Sequence, residues 1–82
     1  MSGGALPVGY VRVNDILHEV RGGHVVRKVR VLALPGSGII VQRMDGTGPR
    51  THLQWATLRR YRTASGHAID AVVDADGRRS LV

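Results

Sequence analysis

No cysteine occurs among the 82 residues. That removes a disulfide framework, a thiolate zinc site and a cysteine nucleophile together. Phenylalanine is absent too, and Tyr10, Trp55 and Tyr61 are the only aromatic side chains. A groove that grips proline-rich peptides needs several aromatic rings, and three scattered ones do not build it. Carboxylates are scarce, six against twelve basic groups. No apolar run approaches the roughly 20 residues of a membrane span. The start, Met1 to Pro7, lacks the basic segment and apolar stretch of a secretion signal. No membrane partner is expected, and the cytoplasm is the expected compartment.

What is present favours strands. Twelve Val and four Ile supply the apolar mass, with seven Leu. β-Branched side chains are stiff about χ1 and sit well on a pleated surface. Eleven Gly and three Pro provide turns. A chain of this length holds one core. Residues 1–8, rich in Gly and small side chains, read as a flexible N-terminal arm, and 9–82 as one small domain.

Along the chain, Gly9 to Val13 alternates as a strand. Asn14 to Val20 fits either a capped helical turn or an irregular strand entering the Arg21-Gly22-Gly23 turn. From Val25 to Leu34, Val25, Val29, Val31 and Ala33 share one parity while Lys28 and Arg30 take the other, with Arg27 interrupting. Pro35 to Gly38 is a turn and Ile39 to Met44 the next strand. Asp45-Gly46 then signals a hairpin. Arg50 to Trp55 reads as a strand with Thr51, Leu53 and Trp55 facing inward, followed by one 3₁₀ turn over 56–60. The alternative is a helix over 52–62, started by a Thr51–Gln54 capping box, which makes the domain α+β. His67 to Val73 is a strand, and Asp76-Gly77 turns the chain back toward Leu81 and Val82. The predicted core includes Val29, Val31, Val41 and Leu53, with Leu58 and Trp55 as anchors.

This order of strands with a single 3₁₀ turn resembles a small Src-homology-3-like barrel of about five strands, covering residues 9–73. Lys28 to Leu32, then Gly36-Ser37-Gly38 and Ile39 to Val41, resembles the strand–glycine–strand core of KOW-type nucleic-acid-binding barrels. Arg50-Thr51-His52-Leu53 leading to Leu58-Arg59-Arg60-Tyr61-Arg62 is similar to the ending of small Arg-rich proteins common in actinobacteria, their phages and their plasmids. The resemblance implies a mainly β fold and contact with nucleic acid.

Chemistry-bearing patterns are thin. Ser37, Ser65, His18, His24, His52 and His67 carry no flanking catalytic motif, and the histidines lack metal-ligand spacing. Neither enzyme activity, nor a metal, nor a cofactor is expected. Charge is the outward-pointing signal. Between residues 21 and 67, nine basic groups face Asp45 alone. Such a field attracts polyanions. The expected nucleic-acid-binding residues are Arg27, Lys28, Arg30, Arg43, Arg59, Arg60 and Arg62, with Tyr61 as a stacking platform. Arg43 is expected to join Lys28 and Arg30 across the sheet. The alternative is an assembly module that docks an acidic protein or self-associates, as a homo-oligomer.

Overall fold

The structure, a computed structural model, describes residues 8–82. The arm expected over 1–8 therefore lies outside the described residues, Val8 excepted. Eight short strands and one 3₁₀ turn make the fold mainly β: β1 (Tyr10–Arg12), β2 (Ile16–Arg21), β3 (His24–Ala33), β4 (Gly38–Arg43), β5 (Thr51–Gln54), the 3₁₀ turn (Trp55–Arg60), β6 (Tyr61–Thr63), β7 (Ala71–Val73) and β8 (Arg79–Leu81). The helix over 52–62 does not form.

The strands divide into two sheets. A five-stranded antiparallel sheet has the order β5-β4-β3-β2-β6, and a three-stranded one the order β1-β7-β8, with β1 parallel to β7. Neither sheet closes into the barrel expected from the sequence. The two edges of the larger sheet, β5 and β6, are joined by the 3₁₀ turn and by no ladder. The flanking strands β1 and β7 pair with each other instead. Asn14 to Val20 takes the strand reading. Asp15 Oδ2 accepts a bond from the Arg12 backbone N–H, closing a turn that feeds β2. The strand expected from His67 shrinks to β7, and residues 61–63, which follow the expected 3₁₀ turn, supply a further strand, β6.

The β2–β3 hairpin turns through Gly22 and Gly23, both at positive φ. A two-residue loop whose twist matches the strands requires that conformation at both positions, and glycine takes it without steric penalty. Gly38 serves a different need. A Cβ there would collide with the Leu53 carbonyl, so the close approach of β4 to β5 depends on its absence.

The core lies between the sheets. Leu17, Val29, Val31, Ile39, Val41, Leu53, Leu58 and Tyr61 meet Val11, Ile69 and Val72 from the smaller sheet side, and Leu34 and Trp55 pack against the cluster half-buried. The expected core positions Val29, Val31, Val41 and Leu53 are all buried. Two expectations of inward facing fail. Thr51 lies opposite Val41 but at the open end of the sheet, where it is exposed. Val25 is 50% exposed, because the register shifts between Glu19 and Val20 and pairs Val25 with Val20, beyond the core.

Candidate nucleic-acid interface

The larger sheet has an inner face, defined by Leu17, Val29, Val31, Val41 and Leu53, and an outer face made of the alternate residues. Register fixes which cations share a face, since directly opposed residues project to the same side. His18 lies opposite both Lys28 and Arg62, which builds one outer row across β6, β2 and β3. Arg30 lies opposite Ile16 and Gln42, forming a second row. Arg50, next to β5, has the opposite parity to Thr51, and shares a surface hollow with Leu32, Ala33, Ile40 and His52. The outer face thus gathers Lys28, Arg30, Arg50 and Arg62, with His18 and His52.

No carboxylate shares that face among the described residues. Glu19 points inward and is buried. Asp15 and Asp45 belong to turns, and Asp70, Asp74 and Asp76 flank the smaller sheet. Two of the guanidinium groups are braced by neutral acceptors. Arg30 Nη1 donates to the Asn14 carbonyl at 3.1 Å. Arg62 Nη1 donates to the carbonyls of Arg59 and Tyr61, each at 2.9 Å. These bonds orient the charge and leave it uncompensated. No ion pair among the described residues involves Lys28, Arg30, Arg50 or Arg62.

The remaining expected residues go elsewhere. Arg27 has the parity of Val29 and points to the inner side. Its Nη2 lies 3.0 Å from Glu19 Oε1 and donates to the Tyr61 hydroxyl at 3.2 Å. The Tyr61 hydroxyl, then the Glu19 charge, hold the Arg27 pKa above its ordinary value. Arg27 is thus a structural cation already paired. Tyr61 is 1% exposed and its ring belongs to the core, so the expected stacking platform is corrected to a buried anchor. Arg43 is opposite Val29, which sets it on the other face from Lys28 and Arg30 and corrects the expectation that it joins them. Arg59 and Arg60 are exposed on the 3₁₀ turn around buried Leu58, and Arg59 Nε donates to the Ala56 carbonyl at 3.0 Å.

Arg50, His18 and His52 were missed by sequence reasoning. The alternation of Arg50 with Thr51 and Leu53 carried the signal for the first. His18 had none, because the strand it sits on was itself ambiguous.

Other chemistry finds little support. Ser37 Oγ lies 3.2 Å from His52 Nε2 on the surface. Among the described residues no carboxylate hydrogen-bonds the other ring nitrogen, so the pair lacks the group that would orient a general base. No three described His, Asp or Glu side chains converge on a point that a metal ion would fill. No helix among the described residues is long and apolar enough to cross a membrane.

Comparison with protein-family models, with curated proteins and with solved structures finds no match to this chain.

Proposed function

We propose that the protein is a non-enzymatic nucleic-acid-binding domain, an accessory or regulatory factor, that contacts phosphates through the outer face of its larger sheet. One observation carries this reading: Lys28, Arg30, Arg50 and Arg62 share a face on which the described residues include no carboxylate. Unpaired cations on a rigid sheet attract a phosphate backbone and release its condensed counterions on contact. Arginine forks also suit phosphate oxygens, which they engage with two donors. The order of four meandering strands, a 3₁₀ turn and a strand returning beside the first is consistent with the Src-homology-3-like resemblance, with the barrel left open.

A second reading, an assembly module that self-associates or docks a partner through an apolar contact, draws on Val25 and Val26, both exposed at the end of the β2–β3 hairpin. Salt separates the two. Binding carried by phosphate contacts weakens linearly in log–log form as salt rises, whereas an apolar hairpin contact does not.

Fluorescence anisotropy with labelled DNA and RNA over a salt series tests the proposal. Lys28→Ala combined with Arg50→Ala is expected to reduce the slope of log affinity against log salt by about two units. Arg43→Ala, on the opposite face, leaves the slope near that of the parent. Absence of binding to any nucleic acid at about 50 mM salt, where non-specific contacts are strong, rejects the proposal in favour of the docking module.

A further inference from the structure

A phosphate-binding face can suit a single strand or a double helix. Two properties of the face bear on this, its aromatic content and its width.

Proteins that hold single strands without sequence preference combine a basic groove with exposed rings on which bases stack. The two Tyr and the Trp are all accounted for, and none is offered to a base on the outer face. Tyr61 is buried in the core and its hydroxyl is taken by Arg27. Trp55 packs half-buried against the same core from the 3₁₀ turn. Tyr10 lies on the smaller sheet with the Arg79 guanidinium 6.0 Å above its ring. The rings beside Lys28, Arg30, Arg50 and Arg62 are therefore only the smaller imidazoles of His18, half-buried, and His52, whose Nε2 lies 3.2 Å from Ser37 Oγ.

The cations are spread across the strands as well as along them. Arg62 sits on the edge strand β6, Lys28 and Arg30 on the central strand β3, and Arg50 beside the opposite edge strand β5. Neighbouring strands lie about 4.8 Å apart, so the two edges stand roughly 19 Å apart measured along the sheet, and nearer than that across it, since the 3₁₀ turn that joins them rises only about 2 Å per residue. One phosphate backbone running over this face would meet only part of the set. Two backbones flanking a groove of about 12 Å, as in the major groove of B-form DNA, fall within the reach of long side chains at both edges. The middle of the face presents Gln42 and Arg30 toward the groove floor.

Resting on the nucleic-acid reading above, we infer that the ligand is a double helix, gripped through both of its backbones by the two edges of the sheet. Arg50 holds one backbone and Arg62 the other, with Lys28 and Arg30 between them. The chemistry recognised is a pair of phosphodiester chains at groove spacing.

The test compares a DNA duplex, an RNA duplex and single strands of each, matched so that every probe carries the same number of phosphates. Anisotropy is recorded at rising salt. At least one duplex is expected to bind about tenfold or more tightly than either single strand, and the RNA and DNA arms report which helix fits. In the same duplex, Arg50→Ala and Lys28→Ala each lower the salt slope by about 0.9 unit, the value for one phosphate contact on B-form DNA. Both side chains are exposed, and neither makes a hydrogen bond or ion pair that the fold depends on, so both variants should fold. Equal or tighter binding of a phosphate-matched single strand overturns the inference and leaves the proposed function standing. So does a duplex slope that Arg50→Ala leaves unchanged, since the β5 edge then touches no backbone, or one that Lys28→Ala leaves unchanged, since the middle of the face then meets no phosphate. Failure of every probe to bind at about 50 mM salt removes the proposed function itself and this inference with it.

Discussion

Glu19 and Arg27 face each other on β2 and β3, with Oε1 and Nη2 3.0 Å apart. The carboxylate is buried, at 6% exposure, while its partner is partly open to solvent. The same guanidinium reaches the hydroxyl of Tyr61, and Arg21 approaches Glu19 Oε2 at 3.4 Å. The one buried carboxylate is thus met by two guanidinium groups, one of which also donates to the Tyr61 hydroxyl.

Arg27→Ala strips the Tyr61 hydroxyl of its donor and leaves Glu19 with Arg21 alone. Leaving buried polar groups unsatisfied costs about 1–3 kcal/mol. The solvent-facing side of Arg27 keeps the cost below that of breaking a fully buried pair. A lowered midpoint in urea denaturation is expected, with nucleic-acid affinity of the folded variant close to the parent's. An unchanged midpoint would show that the pair does not support the fold.

Val31 is fully buried at the centre of β3. Its truncation to Ala should destabilise the domain by about 1–4 kcal/mol, the range for deleting core methyl groups. Val25→Ala, at an exposed hairpin position, should stay within about 0.5 kcal/mol. Comparable losses at both positions would contradict the register shift that separates them.

Gly38→Ala drives a Cβ into the Leu53 carbonyl. Backbone against backbone has no flexible end to yield, so the β4–β5 ladder must open locally. The melting temperature should fall by several degrees, since about 1 kcal/mol corresponds to 4–8 °C in a domain of this size. Gly36→Ala, where a Cβ meets open space, should lower it less.

Asp45 accepts bonds from both the hydroxyl and the backbone N–H of Thr47, which hold its carboxyl below the ordinary value of 3.8. A depressed folded value contributes stability above the unfolded pKa, and the contribution disappears as pH falls through the folded one. Thr47→Ala removes the hydroxyl donor. The Asp45 titration midpoint, followed by carbon NMR, should then rise toward 3.8. A midpoint that does not move would assign the depression to another group.

Arg59→Ala with Arg60→Ala tests the edge of the proposed interface. Both are exposed on the 3₁₀ turn, beside β6 and Arg62. The pair should lower the salt slope by one to two units, about 0.9 for each phosphate engaged, without changing stability by more than about 0.5 kcal/mol. No change in slope confines the binding surface to the sheet itself.

Much of the sheet was legible because alternation carries over wherever pairing is regular. Val29, Val31, Val41 and Leu53 share a face for that reason, and Leu58 anchors the turn between β5 and β6. Reading failed where the partner lay far along the chain. A tyrosine amid three arginines looks like a surface residue until Arg27, 34 positions away, is seen to occupy its hydroxyl. Glu19 at an inward position disguised β2, since a charge breaks the apolar alternation. Arg43 shares the parity of Ile39 and Val41 on β4, so the alternation of its own strand, which the charge count overlooked, already set it on the face opposite Lys28 and Arg30. The candidate interface was legible as a charge excess, and its membership required the register.

The parallel pairing of β1 with β7 ties an early segment of the chain to a late one, whereas β2 to β5 meander through short turns. A nascent chain can assemble that meander as it emerges, while Tyr10 to Arg12 must wait, unpaired, for Ala71 to Val73 to be synthesised. Closing so long a loop is entropically costly and slow. The smaller sheet is therefore the last part of the molecule to form during synthesis. Until it does, the core cluster that holds Val29 and Val31 lacks the cover of Val11 and Val72, and a stalled or truncated product would present that open side to chaperones and proteases.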